Sequence, residues 1–127
     1  MISGKGLLVA GGLGGKSRRE KLDTVEMINL ETMSSCVVDV KLEQPSHSHT
    51  IDGNLVCGGR TGGYISKCFN LATRTSIDLL NARAYHISWS TSDGIYLIGG
   101  YPSSYRTTEL ITGNTTKAGF GLKYDTR

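Results

Sequence analysis

Leu55-Val56-Cys57-Gly58-Gly59 is a short apolar run that ends in a glycine pair, and the chain holds three such runs. The earlier one is Leu8-Val9-Ala10-Gly11-Gly12, and the later one is Tyr96-Leu97-Ile98-Gly99-Gly100. Gly58 follows Gly11 by 47 residues, and Gly99 follows Gly58 by 41. That period suits a four-stranded unit and is too long for most helical repeats. The surroundings recur as well. A polar loop follows each pair, at 13–23, 60–65 and 101–106, and then a strand-like stretch at 24–30, 66–71 and 107–112. Each stretch runs into a polar turn, and Ile28-Asn29-Leu30-Glu31-Thr32 closely matches Phe69-Asn70-Leu71-Ala72-Thr73. A further strand closes each unit, at 36–42, 76–80 and 118–124. Ahead of the second and third glycine pairs lies one more strand, at 47–50 and 83–89. Asp52-Gly53-Asn54 and Asp93-Gly94 join these to the apolar runs as hairpin turns. Four short antiparallel strands per unit make an all-β chain.

The pattern resembles the Kelch repeat: an apolar strand, Gly-Gly, a variable loop, an aromatic and then a Trp. In that family the preceding strand often carries Arg and, three residues later, His. Arg83 and His86 fit, with His86 lying 13 residues before Gly99. The resemblance covers nearly all of 1–127. It departs where Ile28, Phe69 and Ile111 replace the usual Tyr, and where the only Trp, Trp89, lies on a different strand. The resemblance implies an all-β, Kelch-type β-propeller of about three four-stranded blades, with units at Gly11-Gly12, Gly58-Gly59 and Gly99-Gly100. Each glycine pair would end an inner strand where backbones crowd near the central channel. About five to seven blades are usual in such propellers, so three imply an incomplete ring. The expectation is either a fragment of a larger chain or self-association of copies to close the ring.

Composition sets the outer bounds. The 127 residues suffice for one modest domain, and 38% hydrophobic with 20% charged residues fit a soluble globular protein. A net charge of +3 makes no case for nucleic acid. No stretch approaches the roughly 18 apolar residues of a membrane span. Residues 1–6 have no apolar signal-peptide core. Asn114-Thr115-Thr116 is a glycosylation sequon in an expected turn, which leaves cytoplasmic and secreted locations both open. Cys36, Cys57 and Cys68 are an odd number without zinc spacing. They are read as small buried hydrophobes, with a Cys57–Cys68 bridge as the alternative.

Chemistry-bearing motifs are few. Ala10-Gly11-Gly12-Leu13-Gly14-Gly15-Lys16-Ser17 approaches a phosphate-binding loop, but the strict pattern wants Gly at Ala10. The same apolar-Gly-Gly run also returns twice without Lys-Ser, so the repeat already explains these glycines. Lys16, Arg18, Arg19 and Lys21 read as a solvated basic loop. His47 and His49 alternate on an expected strand, which would put both rings on one face, but no third metal ligand is evident. No Gly-x-Ser-x-Gly elbow occurs. The copper site of galactose-oxidase-like propellers does not map onto the chain. No catalytic residue, metal or cofactor is therefore expected.

The reading is a non-catalytic interaction module that binds a protein or peptide partner through loops on a rigid scaffold. A secreted carbohydrate- or glycoprotein-binding propeller is second, and a nucleotide-binding or galactose-oxidase-like enzyme fragment is third. In the proteins this chain resembles, residues just after Gly-Gly and just after the Arg line one face. The matching positions are Leu13, Arg60, Tyr101 and Ala84. Arg60 and Tyr101 lead, since Arg and Tyr are favoured interface anchors and Arg can grip a carboxylate with two parallel bonds. Tyr64, Tyr105 and Arg106 extend the patch along the same loops.

Overall fold

The computed structural model describes residues 2–3, 6–14, 20–102 and 106–123, none of them helical. No helix among them is therefore long and apolar enough to cross a membrane. The first sheet contains β1 (Ile2–Ser3), β2 (Gly6–Ala10), β3 (Leu13–Gly14), β4 (Glu20–Asn29) and β5 (Ser34–Ser46). Four of these run in the order β1-β2-β4-β5, and the two-residue β3 continues the line of β2 along β4. The second sheet has the order β6-β7-β10-β11, from Thr50–Asp52, Leu55–Cys57, Lys67–Asn70 and Thr75–Asp78. Between β7 and β10, β8 (Arg60–Thr61) and β9 (Gly63–Tyr64) form a small separate hairpin. The third sheet is β12-β13-β14-β15, from Ile87–Thr91, Gly94–Ile98, Thr108–Thr112 and Thr115–Ala118. All pairings are antiparallel, and the expected three four-strand units are present.

The period-2 alternation of strands explains how the sheets stack. Val56 of the middle sheet clusters with Leu8, Val25 and Leu42 of the first sheet, and Leu71, just past β10, joins them. Cys57, on the opposite face of β7, clusters with Cys68, Leu79, Leu97 and Ile111. The middle sheet is thus apolar on both faces, with one core on each side of it.

The matched turns are built alike. Asn29 Oδ1 accepts the amides of Glu31 and Thr32 at 2.9 and 3.2 Å. Asn70 Oδ1 accepts those of Ala72 and Thr73 at 2.9 and 3.1 Å. Met33 and Arg74 then take left-handed φ values of 57° and 59°. An Asn side chain that mimics a backbone turn explains why the same Asn-x-x-Thr is needed twice.

The glycine pairs stand where backbones crowd. They end the second strand of each sheet, and the connection between sheets crowds them. The amide of Gly12 donates to the Ser46 carbonyl at 2.7 Å, and that of Gly59 to the Arg83 carbonyl at 2.6 Å. The His49 ring lies over Gly11 as the His86 ring lies over Gly58. The φ values repeat: 63° and 101°, 66° and 104°, 69° and 99°.

These contacts correct the expected strands at 47–50 and 83–89. Ser46 and Arg83 are equivalent, as are His49 and His86, and the segments up to the two histidines are turns between sheets. Ser48 and Tyr85 mark these turns, each with φ 59°. The closing strand expected at 118–124 instead ends at Ala118.

Two buried features hold the second core. Cys57 and Cys68 face each other in register on β7 and β10 and form a disulfide. The expectation of separate small hydrophobes is thereby corrected for these two cysteines. Cys36 is free but exposed, so the expectation that it is buried is corrected as well. Between the second and third sheets, the Arg83 guanidinium meets the Glu109 carboxylate at 2.7 Å, with both side chains 0% exposed. Arg83 also donates to the carbonyls of Gly99 and Thr107 and to Thr107 Oγ1. Glu109 accepts the amides of Leu80 and Asn81.

Candidate partner-binding face

Arg60 and Tyr101 stand at the same place in their units, directly after a glycine pair. Each forms a two-way backbone bridge to the turn between sheets. Arg60 and His47 exchange amide–carbonyl bonds of 2.8 and 3.1 Å, and Tyr101 and Ala84 exchange bonds of 2.9 and 3.0 Å. The two bridges are linked, because the Tyr85 amide donates to the Ser48 carbonyl at 3.0 Å. The fold thus ties the backbones at Arg60 and Tyr101 together through the two turns.

Each anchor has an aromatic companion. Arg60 pairs with Tyr64 across the β8–β9 hairpin, and its guanidinium carbon lies 5.2 Å from the Tyr64 ring centroid. Such a cation–π arrangement stiffens the Arg side chain and leaves its donors free to turn outward. The Tyr101 and Tyr85 rings meet edge to face, with centroids 5.9 Å apart. Beside Tyr64 opens a shallow cleft of about 260 Å³, lined also by Gln44, Thr61, Ser66 and Lys67.

His47 lies beside Arg60, and its pKa is lowered. Burial is the largest cause, and the positive charges of Lys21 and Arg60 add to it. The field here is positive and suits a carboxylate or phosphate.

The other expected positions divide. Arg106 is exposed, and so is Leu13. Ala84 is fully buried and serves through its backbone, so it cannot meet a partner with its side chain. Tyr105 lies outside the described residues, as do Lys16, Ser17, Arg18 and Arg19. Tyr85 was not foreseen as part of the face. Its signal was an aromatic next to Ala84, in a segment read as strand rather than as a turn that aims the ring outward.

The motifs set aside on sequence have structural roles. Gly11 and Gly12 of the phosphate-loop look-alike are followed by strand β3, whereas a phosphate-binding loop opens a helix. His47 and His49 do not share a strand face, because the left-handed Ser48 turns the chain between them. His49 Nε2 donates to the Ala10 carbonyl at 2.7 Å, and Nδ1 accepts from Ser46 Oγ at 3.2 Å. Among the described residues, no three His, Cys, Asp or Glu side chains gather as a metal site would require.

His86, equivalent to His49, is the structure's acid-sensitive point. Its Nε2 is hydrogen-bonded to Thr50 Oγ1 at 2.9 Å, and its Nδ1 is buried without a partner. Burial first, then the Arg83 and His49 charges, push its pKa down from 6.5 to about 4, while the Cys57 backbone pulls the other way. Below pH 6.5 the unfolded chain takes up a proton that the folded chain refuses, so stability falls as pH falls. Between pH 7 and 5, above most carboxylate titrations, the loss is about 2 kcal/mol. Urea midpoints across this range should shift accordingly. His86→Gln should remove most of the slope, and His49 and His47, shifted in the same direction, should supply the remainder.

The chain matches no protein-family model and no curated protein.

Proposed function

We propose that the chain is a Kelch-type propeller region whose loop face binds a protein or peptide partner without catalysis. Support for the propeller comes from three sheets that repeat one glycine-pair geometry, with successive sheets joined by turns of one kind. Support for binding comes chiefly from one observation. Arg60 and Tyr101, at equivalent positions, are tied together through the backbone, and each is braced by an aromatic, Tyr64 and Tyr85. Rigid aromatics and Arg on a backbone-tied scaffold are the usual anchors of an interface. The positive field of Arg60 and Lys21 favours an acidic peptide segment.

The test is to pan a displayed random-peptide library against the folded chain. Enriched peptides should be rich in Asp and Glu. Arg60→Ala and Tyr101→Ala should each weaken the best peptide at least about tenfold, equal to about 1.4 kcal/mol. Lys117→Ala, on β15, should leave binding unchanged. Peptides without acidic enrichment, or binding indifferent to both variants, would refute the reading.

The disulfide favours a second reading, since such bonds persist in oxidising compartments. In that reading the face meets a secreted glycoprotein, with Tyr101 stacking on a sugar. Glycan-array binding that Tyr101→Ala abolishes and Arg60→Ala spares would select it over the acidic peptide.

A further inference from the structure

The repeat relates faces as well as strands. Ala10, Cys57 and Ile98 each precede a glycine pair and lie opposite Val25, Cys68 and Thr108. In the first sheet this face, through Leu8 and Val25, packs on Val56 and Leu71. In the second sheet, Cys57 and Cys68 pack on Leu97 and Ile111 of the third. On the third sheet the same face carries Tyr96 and Ile98, with Trp89 and Ile87 opposite them on β12. Ile87 and Trp89 are 55% and 54% exposed, and Phe120, whose ring lies tilted with its centroid 5.4 Å from that of Tyr96, is exposed too.

The reverse faces follow the same rule. Opposed pairs are Val56 with Phe69 in the second sheet, Leu97 with Glu109 in the third, and Val9 with Glu26 in the first. The pairs of the second and third sheets face the preceding sheet. On the first sheet that face also bears Val37, opposite Glu26, and both Val9 and Val37 are exposed. The two ends of the stack therefore carry the positions that form the two internal interfaces between neighbouring sheets.

We propose that a second copy of this chain docks head to tail on these ends. The Val9–Val37 face of one copy seats on the Trp89–Tyr96 face of the other, and two such contacts close a ring of six sheets. The contact is heterologous, so it joins unlike faces and can close into a ring. This inference concerns the ends of the stack and is independent of what the loop face binds.

Light scattering of the purified chain should give twice the chain mass. Trp89 is the only tryptophan, so its emission should shift to the blue in the pair and return to the red on dilution. Val9→Lys and Ile87→Lys replace side chains exposed in the single copy, so the circular dichroism of each variant should match the parent. Each should weaken pairing at least about tenfold. Mixed together, the two variants should pair again. One of the two contacts in the mixed pair joins two unaltered faces. A monomer at high micromolar concentration with red-shifted Trp89 emission overturns the proposal. Species that keep growing with concentration overturn the closed ring. Failure of the variants to rescue one another overturns the head-to-tail arrangement.

Discussion

Glu109→Ala is expected to destabilise the fold by about 3 to 5 kcal/mol, read as a fall in the urea midpoint with an unchanged slope. The reason lies in what stays behind. The Arg83 guanidinium remains buried without its counter-charge, and the amides of Leu80 and Asn81 lose their acceptor. The chain also contains its own neutral alternative. Between the first and second sheets, the positions of Arg83 and Glu109 are held by Ser46 and Phe69. The double variant Arg83→Ser with Glu109→Phe copies that solution and should recover more than half of the loss. Replacing both members of a buried pair by a packed neutral set avoids the stranded charge. A double variant as unstable as the single one would show that the carbonyls of Gly99 and Thr107 depend on the guanidinium more than on the absence of unpaired charge.

The second large effect concerns Gly58. Its φ of +66° already disfavours any side chain, and an added Cβ would press on the Arg83 carbonyl oxygen and the His86 ring. Left-handed strain costs about 1–2 kcal/mol and overpacking about 1–3 more, so Gly58→Ala should cost roughly 2–5 kcal/mol. Gly53→Ala separates the two causes. Gly53 has a φ of +62° but open space around it, so only the conformational part, about 1–2 kcal/mol, should be lost there. Equal losses at the two sites would mean that the connection between sheets yields to the extra carbon.

These two sites also show what the sequence made readable. The glycine pairs and the Asn29 and Asn70 turns announce themselves because each needs one residue type for a backbone reason, wherever the unit occurs. Three four-strand sheets follow from them. The Arg83–Glu109 pair was hidden because its counterpart is Ser46 with Phe69, so no recurrence marks it. A trace did exist. Alternation in Thr108-Glu109-Leu110-Ile111 puts Glu109 on the same face as Ile111, and an acid on a core-facing position demands a buried partner. The histidine reading failed on a single dihedral, since nothing in Ser48 itself announces a left-handed turn. At the candidate face, Arg60, Tyr64 and Tyr101 were legible as loop residues after glycine pairs. The edge-on Tyr85 was not, because its outward aim depends on its own left-handed dihedral in the equivalent turn, which is equally unannounced.

The Cys57–Cys68 bond bears on this face from below. The chain between the two sulfurs holds Arg60 and Tyr64 together with Gly58, Gly59, Gly62 and Gly63. Four glycines would give such a segment a wide range of shapes, and capturing a ligand would have to narrow it. With both ends locked across adjacent strands, most of that narrowing is complete before any encounter. A reducing environment would loosen the grip of Arg60 and Tyr64 without altering either side chain.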